Sequence, residues 1–119
     1  MVETNSILQG KTTIIITADH GGYQTQHDTA TNPLNFTIPF IVWGKGVSPG
    51  SDLYILNTSS RVSPNATTNP AYTGIQPIRN GDAGNLTLHL LGLGPIPNSM
   101  INNNQDLKVQ GARTCKPWN

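Results

Sequence analysis

Two short blocks of apolar, β-branched residues dominate the pattern along this chain. Residues 11–18 (KTTIIITA) are apolar on both faces, which predicts a strand covered on both sides, as in a parallel sheet. Residues 38–43 (IPFIVW) predict a second strand, with Pro39 at its start or on a sheet edge because proline cannot donate to the ladder. Residues 53–56 form a weaker candidate for a third strand.

Helical patterning is confined to the two ends of the chain. Residues 2–9 fit the last turns of a helix that Gly10 caps, and Asp82 begins a second helix that stops at Gly92. The apolar face of this second helix would contain Leu86, Leu90 and Leu93. Residues 57–76 form a long polar stretch typical of a functional loop or an insertion. Strand, loop, strand and helix together predict an α/β fold.

The predicted elements do not cover each other completely. Strands that are apolar on both faces need helices on both sides of the sheet, and this chain of 119 residues offers about two helices. We therefore expect the chain to be part of a larger domain.

Composition narrows the classes of partner. Seven basic and six acidic residues give a near-neutral balance, which offers no electrostatic basis for binding nucleic acid or an anionic membrane. No apolar run is long enough to span a bilayer.

A charged fraction of only 11% favours an exported protein, periplasmic or extracellular. Cys115 is the only cysteine, so an internal disulfide is excluded. Four N-x-S/T sequons are uninformative in a chain so rich in Asn, Ser and Thr.

The candidate chemistry lies in the segment T-A-D-H-G-G, directly after the first strand. In open α/β sheets ligands bind beyond the carboxyl ends of the strands, and the glycines allow Asp19 and His20 to turn toward one point. A carboxylate oxygen and an imidazole nitrogen suit Zn²⁺ or a similar divalent ion. The alternative is that Asp19 caps a helix and His20 is an ordinary loop histidine.

These residues carry a resemblance to a known family. TTIIITADHGG, the polar loop with His27, and IPFIVWGKGV resemble the C-terminal region of the alkaline phosphatase superfamily, which includes phosphodiesterases, nucleotide pyrophosphatases, phosphomutases and sulfatases. IRNGDAGNLTLHLLGLGPIPNSMI resembles the closing helix of secreted bacterial members, so the match covers residues 8–107. The resemblance implies an α/β sandwich with a mainly parallel sheet flanked by helices. Residues 1–107 would be its C-terminal portion, and residues 108–119 a flexible tail.

The resemblance also implies a function. Family enzymes hydrolyse phosphate or sulfate monoesters and diesters with two divalent ions, here expected to be Zn²⁺, with Mn²⁺ or Ca²⁺ as alternatives. Asp19 and His20 would bind one ion and His27 the second. The Ser or Thr nucleophile and the other metal ligands would come from the remaining N-terminal part of the catalytic domain, so the chain alone should be inactive. The alternatives are a non-catalytic remnant that serves as an interaction module and, within the family, a phosphomutase.

Five other residues carry weaker hypotheses. Asp28 is typical of a turn residue or a partner of a metal ligand, and His89 of a half-buried helix residue. Arg79 and Asp82 flank a helix start and could pair or cap it, with a substrate role for Arg79 as the alternative. Lys45 lies at a strand exit and not in a phosphate-binding loop, because no helix follows it.

Overall fold

The computed structural model describes residues 1–64 and 72–111. Within them the order is β1 (Thr13–Thr17), α1 (Pro33–Phe36), β2 (Phe40–Gly44), α2 (Leu53–Leu56) and α3 (Asp82–Leu90). The predicted α/β character is confirmed. Cys115 and the sequon at Asn65 lie outside the described residues, as does part of the long polar stretch 57–76.

The two strands form an antiparallel pair in which Ile14 lies opposite Trp43 and Ile16 opposite Ile41. A parallel pair needs a crossover that packs across the sheet, usually through a helix of several turns. The connection between β1 and β2 contains only the four-residue helix α1, and the chain returns beside β1 in the opposite direction. The described residues therefore do not form the predicted parallel sheet.

One face of this sheet packs on the core and the other does not. Ile15, Phe40 and Val42 contact a small buried core. That core consists of Leu86, Leu107 and Val109. On the opposite face Ile16 and Ile41 are each 53% exposed and Trp43 is 43% exposed. Strands that are apolar on both faces predict a sheet packed on both sides, but the described residues pack against only one side.

Two local predictions about helices and strands are wrong. Residues 53–56 form the helical turn α2 and not a strand, because the Asp52 carboxylate caps it by accepting a bond from Tyr54 N at 2.7 Å. Residues 2–9 form hydrogen-bonded turns and not a helix, although Gly10 does adopt the positive φ of 66° expected at a helix end.

Helix α3 confirms the prediction at the C-terminal end of the chain. It begins at Asp82, and the chain turns away from it at Gly92 with a φ of 72°. Leu86 is fully buried and Leu90 packs against the core, as the helical spacing predicts. Leu93 lies beyond the end of the helix and is 55% exposed, so the prediction that it shares the buried face is wrong. No helix among the described residues has the length and apolarity to cross a membrane.

Buried asparagines fix the loops to this small core. The amide nitrogen of Asn57 donates to Leu53 O at 2.8 Å and to Lys108 O at 2.7 Å. The amide of Asn85 accepts from Ile96 N at 2.7 Å and donates to Ile101 O at 2.8 Å. Three sequon asparagines are buried in this way: Asn35, Asn57 and Asn85. Their amides serve the fold and are inaccessible to glycosylation in the folded chain.

The packed part of the chain continues past residue 107, where the sequence predicts a tail. Lys108 N donates to Asn57 Oδ1 at 2.7 Å, and Val109 is 5% exposed. Val109 O accepts from Ser48 N at 2.9 Å, and Gly111 N donates to Ser48 Oγ at 2.8 Å. Residues 108–111 are therefore anchored to the domain, and residues 112–119 lie outside the described residues.

A buried ionic cluster lies at the N-terminus of α3. Arg61 Nη2 is 3.1 Å from Asp82 Oδ1 and 2.9 Å from Asp106 Oδ1, and it donates to Asn102 Oδ1 at 3.1 Å. The other Asp82 oxygen accepts from Arg79 N at 2.7 Å. Asp82 is the first residue of α3, but Gly81 occupies the N-cap position and no side chain caps the helix, so the prediction that Asp82 caps it is wrong. Its carboxylate instead binds the backbone before the helix and pairs with Arg61, 21 positions away, to which the sequence does not point.

Tyr54 connects α2 to the segment before α3. Its hydroxyl oxygen accepts a bond from Ile78 N at 3.2 Å. Burial raises the pKa of Tyr54 because the charged phenolate would lose hydration, and this effect exceeds the opposing effect of the Ile78 bond. The phenol is therefore held in its neutral form against the core.

Candidate metal centre

Asp19 and His20 follow the last residue of β1 and converge. Asp19 Oδ1 accepts a bond from His20 N at 3.0 Å, which turns the carboxylate toward the residue that follows it. Asp19 Oδ2 then lies 3.3 Å from His20 Nε2. Adjacent residues of a regular strand would point to opposite faces, so this convergence depends on the chain leaving the strand at Thr17.

The contact of His20 Nδ1 with the backbone indicates the tautomer of the ring. Nδ1 lies 2.6 Å from the carbonyl oxygen of Gly21, which can only accept, so Nδ1 carries the proton. In a neutral imidazole the lone pair is then on Nε2, facing the Asp19 carboxylate. A cation bound between these two acceptor atoms would stabilise their close approach.

The spacing of the two atoms fits a tetrahedral cation. Zinc binds imidazole nitrogen and carboxylate oxygen at about 2.0 to 2.2 Å, so two ligands of a tetrahedral site lie about 3.3 to 3.5 Å apart. The 3.3 Å between Asp19 Oδ2 and His20 Nε2 matches this edge. The donor set and its spacing therefore suit Zn²⁺, with the Nδ1 bond to Gly21 O holding the ring in the required tautomer.

The structure brings His27 to the same place. Its ring stacks on that of His20 with the centroids 4.3 Å apart and the planes inclined by 12°. A metal ion lies near the plane of the imidazole that binds it, so two nearly parallel, stacked rings cannot direct their lone pairs at a single ion. Such a pair is suited to two neighbouring ions, and two-metal sites place their ions about 3.5 to 4 Å apart.

The three residues form a partial, open site. The side chain of Asp19 is 84% exposed and that of His20 is 46% exposed. Across residues 1–64 and 72–111, no group of three or more His, Cys, Asp or Glu side chains has the arrangement of a metal site. Asp19 and His20 could therefore supply at most two ligands to one ion, and further ligands or water would have to complete its coordination.

Gly21 ties the segment to helix α1. Its N–H donates to Asn35 O at 2.8 Å, and Asn35 is buried. A Cβ at Gly21 would lie 2.0 Å from Leu34 O and 2.8 Å from Thr37 O. Glycine is thus required here by close approach of the backbone to α1 and not by a positive φ. This approach determines where Asp19 and His20 leave the sheet.

Asn80 is a positioning residue that the sequence does not single out. Its amide nitrogen donates to Asp19 O at 2.8 Å across 61 positions, and its amide oxygen accepts from Gly81 N at 2.8 Å. The segment before α3 is thereby bonded to the backbone of the candidate ligand. The only sequence signal for this role of Asn80 is its position next to the predicted helix start, and Arg79 and Asp82 share that signal.

Replacing Asn80 by alanine tests this positioning role. We expect a several-fold to ten-fold weaker affinity for Zn²⁺, because outer partners orient the residues that bind metal, while the free energy of unfolding falls by about 1 kcal/mol or less. Zinc titration monitored by NMR would measure the first effect and urea unfolding the second. Asn104→Ala is the matched control, since Asn104 is exposed and makes no side-chain bond among the described residues. Equal zinc affinity in both variants would contradict the role.

The remaining sequence candidates lie in ordinary environments. Asp28 is exposed and, among the described residues, makes no hydrogen bond or ion pair with Asp19, His20 or His27. Lys45 is exposed directly after β2. His89 lies in the last turn of α3 and is exposed, so the prediction that it is half-buried is wrong. The Arg79 guanidinium donates to Gln76 Oε1 at 3.0 Å and lies 4.0 Å from the centroid of the Tyr72 ring.

Comparison of this chain with protein families, with curated proteins and with solved structures found no match.

Proposed function

We propose that this chain supplies part of a two-metal centre that hydrolyses phosphate or sulfate esters, within a larger catalytic domain of the alkaline phosphatase type. One observation carries the proposal. At the end of a β-strand, Asp19 Oδ2 and His20 Nε2 lie 3.3 Å apart, with the histidine tautomer that a metal ion requires. The resemblance of the T-A-D-H-G-G segment to that superfamily supplies the reaction class.

Each candidate residue has a role in this proposal. Divalent ions in such a centre would lower the pKa of the nucleophile and stabilise charge on the attacking and leaving oxygens. Asp19 and His20 would hold one ion, and Gly21 O orients the His20 ring through Nδ1. His27, stacked 4.3 Å from His20, would serve the neighbouring ion. The substrate is a small phosphate or sulfate ester.

The nucleophile and the remaining ligands belong to the rest of the catalytic domain in this proposal. The same part would provide the further strands and helices of a mainly parallel sandwich, in which β1 and β2 form one portion of the sheet. Zinc ions would then complete their coordination with ligands from both parts of the polypeptide. The isolated chain would bind metal weakly and would not turn over substrate.

Metal titration of the isolated chain tests the site directly. Adding Zn²⁺ should shift the ring signals of His20, and Asp19→Ala should weaken binding by at least about ten-fold because it removes one of two ligands. Asp28→Ala is the matched control, since it removes an exposed carboxylate close to His27 in sequence. If zinc shifts no histidine signal, or if both variants bind equally, the metal proposal fails. Hydrolysis of an aryl phosphate by the chain alone, lost in Asp19→Ala, would overturn its division of roles.

An interaction module is the second candidate function, favoured by the apolar side chains of Ile16, Ile41 and Trp43 on the open sheet face. It predicts that Asp19→Ala and His20→Ala leave every binding property of the chain unchanged. The zinc titration therefore separates the two functions.

A further inference from the structure

Asn80 and Gly81 form the only Asn-Gly dipeptide of the sequence. Asparagine is a chemically labile residue. It loses the ammonia of its side chain when the backbone nitrogen of the next residue attacks its amide carbon. Glycine permits this attack best, because it has no Cβ to shield the attacking nitrogen. The dipeptide is therefore the position of this chain where such a reaction is fastest in the absence of structure.

The fold leaves this dipeptide open to the reaction. Both residues are exposed in the segment directly before α3. Gly81 is the N-cap of α3, and the first N–H groups of a helix have no acceptor within it, so attack by this nitrogen breaks no bond of the helix. The Gly81 N–H donates to Asn80 Oδ1 at 2.8 Å, which keeps the nitrogen beside the amide group that it must attack. The attacking atom and its target are thus held together at the surface.

The same side-chain amide connects this segment to the candidate metal centre. Asn80 Nδ2 donates to Asp19 O at 2.8 Å. A carboxylate at position 80 would have only acceptor oxygens, so this bond would be lost and a negative charge would face a carbonyl oxygen. At the start of α3 the same charge is favourable, because a helix N-terminus carries a partial positive charge. Loss of ammonia would therefore preserve α3 and release the backbone of Asp19.

We propose that Asn80 is a site of spontaneous deamidation that detaches Asp19 from the segment before α3. The Gly81 nitrogen forms a bond to Asn80 Cγ, the Cγ–Nδ2 bond breaks, and ammonia leaves with the proton of the Gly81 nitrogen. Water then opens the cyclic imide at either carbonyl and gives aspartate or isoaspartate. The reaction consumes only water. It would also loosen the zinc site of the proposed function, and that consequence alone depends on the proposed function.

Ageing the whole chain at mildly alkaline pH tests the covalent step, because the attacking nitrogen must lose its proton. Peptide mass spectrometry should show Asn80 deamidating at least about ten-fold faster than Asn98, an exposed asparagine followed by serine. The matched control is Gly81→Ala. We expect this variant to deamidate at position 80 at least about ten-fold more slowly, because its methyl group shields the nitrogen.

The control variant should fold like the parent chain. Gly81 has a φ of −63° and a ψ of −20°, which any residue adopts. A Cβ there would lie 2.7 Å from Ile101 Cδ1, which is the end of a flexible side chain. Urea unfolding of Gly81→Ala would verify its stability before the deamidation rates are compared.

NMR of the aged chain tests the structural effect. The amide signals of Asp19 and His20 should shift, as they should in Asn80→Asp, because the bond to Asp19 O is lost. The signals of Leu86 and Leu90 within α3 should stay in place, since the helix keeps its favourable charge at the N-terminus.

Three outcomes would overturn the inference. The first is that Asn80 deamidates no faster than Asn98, and the second is that Gly81→Ala deamidates at the parent rate, which would exclude attack by this nitrogen. The third is that the aged chain keeps the Asp19 and His20 signals of the fresh chain. Zinc enters none of these measurements, so failure of the metal proposal, in which Zn²⁺ shifts no histidine signal, is distinguishable from failure here.

Discussion

Replacing Asp82 by asparagine should lower the free energy of unfolding by about 3 kcal/mol, because breaking a buried ion pair from one side leaves the partner charge uncompensated. The side chains of Arg61 and Asp82 are only 7% and 2% exposed, and their atoms lie 3.1 Å apart. The second oxygen of Asp82 accepts from Arg79 N at 2.7 Å. An asparagine amide has one oxygen, so it must direct its NH₂ group at one of these two donors.

Asp106→Asn is the control for this prediction. Asp106 also pairs with Arg61, at 2.9 Å, but its side chain is 43% exposed, so water screens the pair and can replace it. We expect a loss of about 1 kcal/mol or less. Urea unfolding followed by circular dichroism would compare the two variants at an unchanged m-value. Similar losses for Asp82→Asn and Asp106→Asn would show that burial does not determine the strength of this cluster.

Replacing Gly21 by alanine should cost about 3 kcal/mol of stability and disrupt zinc binding together with it. The added methyl group would lie 2.0 Å from Leu34 O, and the backbone there is tied to Gly21 by the bond from Gly21 N to Asn35 O at 2.8 Å. Overpacking typically costs about 1 to 3 kcal/mol. We expect the upper value here because the contacting atoms belong to the backbone and cannot move aside as a side chain can. Relief of the clash requires the segment to move away from α1, which displaces Asp19 and His20.

Gly22→Ala separates this effect from a general intolerance of the double glycine. A methyl group on Gly22 would meet nothing closer than Gln26 O at 3.8 Å, which is ordinary van der Waals contact. We expect its stability and zinc affinity to stay within a few-fold of the parent chain. Urea unfolding and zinc titration of both variants provide the measurement. If Gly21→Ala behaves like Gly22→Ala, the close approach of this segment to α1 does not hold the candidate site in place.

The sequence predicts the parts of the candidate site that depend on neighbouring residues. Asp19 and His20 follow a β-branched strand and precede two glycines, and this pattern correctly indicates that their side chains can converge. The prediction that residue spacing allows His27 to fold back is met by its stacking on His20. Whether these residues bind metal stays a prediction, because no contact among residues 1–64 and 72–111 supplies the missing ligands.

Asn80 and Arg61 escape prediction for a common reason. Asn80 bonds to Asp19 O and Arg61 to Asp82, and both contacts join positions far apart in the chain. The chain contains many asparagines, and nothing in the local sequence distinguishes Asn80, as a partner of Asp19, from those that are exposed and make no such contact. Only the folded arrangement assigns these two residues their partners.

The sequence by itself determined the positions of β1, β2 and α3, because β-branched runs, glycine stops and the spacing of Leu86 and Leu90 act within a few residues. Tertiary structure decided the antiparallel pairing of the strands and the buried pair of Arg61 with Asp82. It also decided which strand face is covered, since Ile15 and Ile16 are equally apolar and only one packs on the core. For these three elements the local pattern is sufficient, whereas direction, partner and burial depend on contacts between segments that are distant in sequence.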